Sequence, residues 1–116
     1  RPVWIAPRVA AALEAHYPAG RPTGSFAAIW FHERSLLFLA GTDTILMRQR
    51  DPAVGLRFLA EAPGRSLLVA ANQRTRLLRA ATERGVTLLP YAEITGFNYA
   101  AGRREELTLY AMAPAP

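Results

Sequence analysis

Hydrophobic residues in this chain follow two patterns. Some recur every three or four positions, which is typical of helices that bury one face, and others form short continuous runs, which are typical of strands covered on both faces. The first pattern predicts helices over residues 7–17 and 72–84, and a third that begins at Asp51 and Pro52 and stops before Pro63. The second pattern predicts strands over residues 26–31, 44–47, 66–71 and 86–89.

Residues at the helix boundaries support these assignments. Pro7 suits a first helical turn, and Asp51 is a good N-cap with Pro52 directly behind it. Gly85 stands where a C-terminal cap belongs. In the helix that ends there, the side chains predicted to face inward are Leu77, Leu78 and Ala81.

The apolar run before Gly41 leaves two alternatives open. Ser35 suits the start of a short helix that Gly41 ends, and it equally suits the start of a hairpin strand. Such a run is too short for its periodicity to decide between them. The short helix is slightly favoured.

The last part of the chain changes character. Residues 94–99 and 106–112 are two strand-like runs on either side of a turn-bearing stretch with Gly102. Leucines alternate with Thr and Tyr over residues 107–110, which predicts a half-buried strand. The two runs together predict an antiparallel hairpin that closes one edge of a sheet.

Strands that alternate with helices predict an α/β fold. We expect a small three-layer domain: a mostly parallel sheet of about five strands, helices on both faces and the C-terminal antiparallel hairpin. The chain has 116 residues, 51% of them hydrophobic, enough for one continuous core. Residues 1–112 are predicted to form this single domain and residues 113–116 a loose Pro/Ala tail. Because Arg1 is not a methionine, we expect the domain to be cut from a larger protein.

Composition excludes several kinds of site. The chain has no cysteine, which excludes a disulfide framework, a thiolate metal site and a cysteine nucleophile. Its net charge is +5 and every basic residue is arginine. This bias fits an arginine-rich genome, or a surface that faces phospholipid head groups, a lipid-linked phosphate or nucleic acid. The arginines form no dense run, so no nucleic-acid partner is predicted.

The sequence His32, Glu33, Arg34 and Ser35 is the most polar cluster beside a predicted buried strand. It follows the carboxyl end of that strand, where open α/β sheets place ligands. Three interpretations remain: a solvated loop with a Glu–Arg pair, an interaction surface, or a catalytic site with Glu33 as base and Arg34 as anion clamp. No GxGxxG, Walker or GxSxG motif accompanies it, and the two histidines lack metal-ligand spacing. No cofactor, metal or catalytic residue is therefore predicted.

A second cluster lies in the predicted hairpin, where Phe97, Asn98 and Tyr99 precede Gly102 and Arg103. Asn and Gly suit positive-φ turn geometry. The aromatic rings suit stacking on a sugar or a partner, or simple packing within the hairpin. Phe97, together with the aromatic residue at 110, is predicted to be largely structural.

Two stretches together resemble a known family: HERSLLFLAGTDT over residues 32–44 and GFNYAAGRREELTLY over residues 96–110. They are similar to the C-terminal soluble region of bacterial polyprenyl-phosphate-dependent membrane glycosyltransferases, the group of the protein mannosyltransferases and aminoarabinose transferases. The matching residues are Glu33, Ser35, Leu36, Phe38, Gly41, Thr42, Asp43 and Thr44, then Gly96, Phe97, Asn98, Tyr99, Gly102, Arg103, Leu109 and Tyr110. Arg34 and Ala100 replace a proline and a serine of the family pattern. Any substrate contact that the proline or the serine makes in the family is therefore not transferred to this chain.

The resemblance implies an inner-membrane parent enzyme of the cell envelope that transfers a sugar from a lipid-phosphate carrier. The catalytic residues would lie in its transmembrane part, and this domain would be an accessory domain on the periplasmic side. Its partners would be that transmembrane part, the membrane surface and the lipid-linked sugar. Candidate interaction or substrate-facing residues are His32, Glu33, Arg34, Ser35, Thr42, Asn98, Tyr99 and Arg103. The alternative is a free-standing α/β module that binds a small anion or nucleotide.

Overall fold

Helices and strands alternate through most of the chain in the computed structural model, which describes residues 4–29, 36–37, 40–41, 43–47, 51–98 and 102–113. The elements are α1 (Ile5–His16), β1 (Phe26–Ile29), β2 (Ile45–Met47), α2 (Pro52–Glu61), β3 (Ser66–Ala70), a 3-10 turn (Ala71–Gln73), α3 (Arg74–Glu83), β4 (Leu88–Asn98) and β5 (Arg103–Met112). Between β1 and β2, Leu36 and Leu37 are helical, and the amide of Ala40 donates to the carbonyl of Leu36 at 2.8 Å. This α-type bond agrees with the short helix rather than the hairpin strand.

The five strands form one mixed sheet in the order β2-β1-β3-β5-β4. β1 pairs with β2 and β3 in parallel, whereas β5 pairs with β3 and β4 antiparallel. The prediction of an α/β domain with about five strands is confirmed, but the prediction of a mostly parallel sheet is wrong. The reason is the position of β5: it returns between β3 and β4, and so separates two strands that run in the same direction and are joined through α3.

β4 corrects the predicted strand boundaries. Residues 86–89 and 94–99 were expected to be separate strands, yet Leu88–Asn98 is one strand paired with β5 along its length. Pro90 lies between the two predicted strands, and proline lacks the amide hydrogen that a central strand needs. β4 is an edge strand, and its register shifts between Pro90 and Ala92, so the missing donor is tolerated there. The turn between β4 and β5, residues 99–101, lies outside the described residues.

The sheet is covered on both faces. Successive residues of β1 point to opposite sides, as strand geometry requires. On one face, α1 packs through Ile5, Val9 and Leu13 against Phe26, Ala28, Leu68, Leu107 and Leu109. On the other face, α2 and α3 pack through Leu56, Leu59, Leu77 and Ala81 against Ala27, Ile29, Leu67, Val69 and Tyr110.

Two predictions of burial are wrong. Leu78 was expected to face inward but is 39% exposed. The strand over residues 107–110 was expected to be half-buried, but its polar positions are covered as well: Thr108 is 1% and Tyr110 2% exposed. Because β5 lies between two strands with a helix layer on each side, both of its faces are closed over these residues. Alternation in sequence therefore does not report exposure here.

The predicted helix boundaries at α2 and α3 are confirmed in atomic detail. The Asp51 side chain accepts the amide of Ala53 at 2.9 Å, and Pro52 begins the helix. Gly85 has φ +68°, and after α3 the amides of Gly85 and Val86 donate to the carbonyls of Thr82 and Ala81. This pair of bonds is the Schellman termination that glycine favours. Within the described residues, every helix is too short or too polar to cross a bilayer.

Candidate functional site

One edge of the sheet collects the carboxyl ends of β1, β2 and β3, because these strands are parallel. In the connection from β1 to β2, Leu36 is buried on the α1 face of the sheet. After β3 the chain turns toward the opposite face, forms α3 and continues to β4. The connections thus leave neighbouring strands in opposite directions, which is the topological switch point where open α/β sheets hold ligands.

The first predicted cluster follows β1 in the sequence and the second includes the end of β4; both of these strands end at the carboxyl edge. His32, Glu33, Arg34 and Ser35 follow β1 and lie outside the described residues, as does Tyr99. Asn98 ends β4 and stands directly opposite Arg103, which begins β5. Past the end of β3, the two strands continue for four residue pairs, an arm of about 13 Å beside the edge.

Thr42 belongs to a different part of the fold. The residue itself lies outside the described residues, but its neighbours Gly41 and Asp43 precede β2 and therefore lie at the amino edge of the sheet. The structure thus separates this motif from the carboxyl edge, although the resemblance grouped its residues with the other candidates.

A groove with a volume of about 240 Å³ lies where the arm meets the end of β3. Its lining residues are Ala70, Ala71, Asn72, Arg103, Arg104, Glu105 and Glu106. Within it, Nε and Nη2 of Arg103 both donate to Oε1 of Glu105 at 3.3 Å. Any contact of Arg103 with a partner or substrate therefore competes with an internal carboxylate, whereas Arg104, which was not among the candidate residues, is exposed.

A polar network joins α3 to the part of β4 and β5 that lies beside β3. Nη2 of Arg74, the first residue of α3, donates to the hydroxyl of Thr108 and lies 3.9 Å from a carboxylate oxygen of Glu93. Burial raises the pKa of the neighbouring phenol of Tyr110 above its ordinary value. Arg74 is thus committed to holding α3 against β4 and β5.

The amino edge carries an ion pair rather than a reactive group. Arg21 contacts Asp43 at 3.2 Å and donates to the carbonyl of Ala40 at 2.6 Å. Asp43 also accepts the amide of Gly24 at 2.6 Å. This backbone hydrogen bond, followed by the contacts from Arg21, lowers the pKa of Asp43, while partial burial opposes them. The carboxylate is held ionised by structural partners.

A chain of hydroxyl groups, also missed from sequence, lies at the same edge. Tyr91 donates to Oγ of Ser66 at 2.7 Å, and Tyr17 donates to the carbonyl of Gly64 at 2.7 Å. Each hydroxyl has a single hydrogen, so the 2.6 Å contact between Ser66 and Tyr17 must use the hydrogen of Ser66. The ring of His16 stacks on that of Tyr91 with centroids 3.7 Å apart.

The hydroxyl groups of this chain are hydrogen-bonded to one another and are not placed to react with a substrate. Burial raises the pKa of Tyr91 to about 12. Ser66 is 0% exposed, so its hydroxyl is closed to a substrate. In the sequence, Tyr17 is simply a tyrosine directly after α1. Nothing near it indicates that its hydrogen-bond partners lie 47 and 49 residues away.

In the described part of the chain, no His, Asp and Glu side chains gather in a group that could hold a metal ion. The carboxyl edge offers guanidinium and carboxylate groups for polar binding. No nucleophile with an adjacent base occurs among the contacts of the described residues, and acid–base or nucleophilic catalysis needs that geometry. Family models, curated proteins and solved structures were compared with the chain, and none matches.

Proposed function

We propose that this chain is an accessory periplasmic domain of an integral-membrane glycosyltransferase that takes its sugar from a lipid-phosphate carrier. The transfer is catalysed by the transmembrane part of the same polypeptide. This domain contacts that part with the carboxyl edge of its sheet, through the loop after β1 and the β4–β5 arm. Its role is to brace or cover the active-site cavity.

The observation that carries the proposal is the structural role of the motif residues. Asp43 joins two loops, and Gly41 has φ +120° beside that ion pair. Leu109 and Tyr110 are buried in the two cores. Residues that join loops, adopt a positive φ or fill the core characterise a fold rather than a reaction. This supports a shared fold with the glycosyltransferase region and carries no implication of catalysis by the domain.

The distribution of polar groups also supports an accessory role. The arm extends past the sheet and ends in exposed Arg103 and Arg104 beside Glu105 and Glu106, a mixed-charge surface. Such surfaces are typical of contacts between domains of one chain, which are more polar than obligate interfaces. A domain that performed the transfer would need an acid or base aimed into a cavity.

The coding sequence upstream of Arg1 tests the proposal. We expect a series of hydrophobic spans with an acidic residue in the first periplasmic loop, and an upstream soluble domain would contradict the proposal. In the complete protein, replacing that acidic residue should abolish sugar transfer, whereas deleting this domain should reduce transfer and leave the acidic residue essential. Transfer by the domain alone would also overturn the proposal.

One observation favours the anion- or nucleotide-binding alternative: the groove between the end of β3 and the arm has Arg104 exposed in its lining. A thermal-shift screen of the chain against nucleotides and sugar phosphates discriminates between the two functions. A ligand at a hundred times its Kd would add about 2.7 kcal/mol to the free energy of unfolding. The accessory role predicts no such stabilisation.

A further inference from the structure

The outer surface of α2 and α3 is an arginine face, defined by Arg57, Arg76, Leu78, Arg79 and Arg84. The two helices pack against each other on one side of the sheet. All five side chains are exposed, and Leu78 is 39% exposed in spite of its apolar character. This layer lies parallel to the sheet, so it is a different surface from the carboxyl edge.

Charge is distributed unevenly between this face and the rest of the described residues. Six arginines (57, 65, 74, 76, 79 and 84) belong to α2, α3 and their ends, against four acidic groups: the α2 N-cap Asp51, Glu61, Glu83 and the Arg74 partner Glu93. The other described residues hold four arginines and four acidic side chains. The positive charge of the described residues is therefore concentrated on one side.

The acidic groups on this side leave much of that charge uncompensated. Glu61 lies 4.0 Å from Arg65, and Glu93 lies 3.9 Å from Arg74, so two of the four are already paired, and a third, Asp51, accepts the amide of Ala53. Among the described residues, Arg57, Arg79 and Arg84 form no ion pair within 4.0 Å. Three guanidinium groups therefore remain directed to solvent, each able to bind a phosphate through two parallel hydrogen bonds.

Leu78 distinguishes between possible anionic partners. A nucleic-acid backbone offers phosphate groups to the arginines but gains little from an exposed leucine. An anionic bilayer offers both phosphate groups and, just below them, an apolar boundary that accepts a leucine side chain. Each arginine near such a surface contributes about 1 kcal/mol of attraction.

We propose that the arginine face docks on the surface of a bilayer containing anionic phospholipids. The inference rests on the proposed function, which puts a membrane beside the domain, and it assigns the surface that contacts lipid. With this face on the bilayer, the carboxyl edge remains at the side of the domain, where it can contact the transmembrane part.

Vesicle co-sedimentation of the 116-residue chain tests this docking. We expect binding to phosphatidylcholine vesicles that contain a third phosphatidylglycerol, and none to phosphatidylcholine alone. Arg79→Glu on α3 and Arg8→Glu on α1 make the same change of charge on opposite faces of the sheet. Arg79→Glu should weaken binding by about tenfold or more, and Arg8→Glu by less than about threefold. Arg57→Glu is a second variant of the face, and circular dichroism confirms folding of each.

Three results would overturn the proposal: no binding to anionic vesicles, equal losses in Arg79→Glu and Arg8→Glu, or equal binding to duplex DNA at the same salt concentration. Equal losses would mean that net charge alone drives binding. Leu78→Ser adds an independent readout, because loss of the apolar contact should weaken vesicle binding even at a salt concentration that screens charges. Failure here is distinguishable from failure of the proposed function, which is read from the upstream coding sequence.

Discussion

Arg21 and Asp43, which are 22 residues apart, form an ion pair of 3.2 Å that joins the segment before β1 to the segment before β2. The backbone takes part on both sides, since Arg21 donates to the carbonyl of Ala40 and Asp43 accepts the amide of Gly24. The segment before β1 that contains Arg21 and Gly24 and the residues Ala40, Gly41 and Asp43 before β2 are thereby held together as one structural unit.

Asp43→Asn should lower the free energy of unfolding by roughly 1–3 kcal/mol, because it replaces a charged acceptor of two donors. The pH dependence follows from the lowered pKa of Asp43, whose ordinary value is 3.8. Its contribution is complete above that value and is lost as the pH falls through the lower folded-state pKa. The Tm difference between wild type and Asp43→Asn should therefore be constant above about pH 4, shrink as the pH falls further, and vanish only below the lowered folded-state pKa. Asp51→Asn is the control, since asparagine caps a helix as well as aspartate does; an equal loss there would refute this role of Asp43.

Gly41→Ala should be severely destabilising for two separable reasons. Its φ is +120°, and a Cβ would lie 2.6 Å from Oδ1 of Asp43 and 2.9 Å from Nη2 of Arg21. We expect a loss of roughly 2–4 kcal/mol in chemical denaturation. Gly20→Ala is the matched control, because Gly20 has φ +101° and nothing within 4 Å of its Cβ position, so it reports backbone strain alone. Equal losses in the two variants would rule out the steric contribution.

The hydroxyl chain predicts an alkaline effect. Burial raises the pKa of Tyr91 from 10.0 to about 12, so its contribution to stability is complete below pH 10 and is lost as the pH rises toward 12. Tyr91→Phe should remove one late-titrating phenol from the ultraviolet absorbance titration and make the Tm less dependent on pH in this window. An unchanged titration curve would show that Tyr91 ionises normally.

Two aromatic residues predicted to be structural should differ in importance. Tyr110 is 2% exposed beneath α2 and α3, whereas Phe97 is only partly buried on the arm. Tyr110→Ala should cost roughly 3–5 kcal/mol and Phe97→Ala about 1–2 kcal/mol, measured by urea denaturation. A larger loss from Phe97→Ala would indicate that the arm, rather than the central strand, stabilises the hairpin.

Helix ends were predicted correctly because they depend on residues that are close together in the sequence. Asp51 and Gly85 were identified from sequence because a cap acts on amides or carbonyls within a few residues. The continuous strand through Pro90 was not predicted. A missing amide hydrogen matters only in a central strand, and the sequence does not state which strand lies at the edge. The exposure of Leu78 and the burial of Thr108 likewise depend on which elements cover them.

The candidate site was predictable in outline only. Its position after β1 and along the arm follows from strand direction, which the alternation of helices and strands indicates. The pairing of Arg103 with Glu105 and that of Arg21 with Asp43 arise from side-chain geometry in the folded chain. Ser66 joins Tyr17 and Tyr91 across 49 and 25 residues, a contact that no motif within one segment encodes.

Alkaline carbonate extraction of membranes from the source cells, followed with an antibody against this chain, tests the central claim most directly. We expect a band larger than 12.7 kDa that stays in the membrane pellet and is digested by protease added to spheroplasts. Carbonate strips proteins that are held only by charge, so retention identifies an integral-membrane parent. Recovery of the antigen in the soluble fraction would contradict the account.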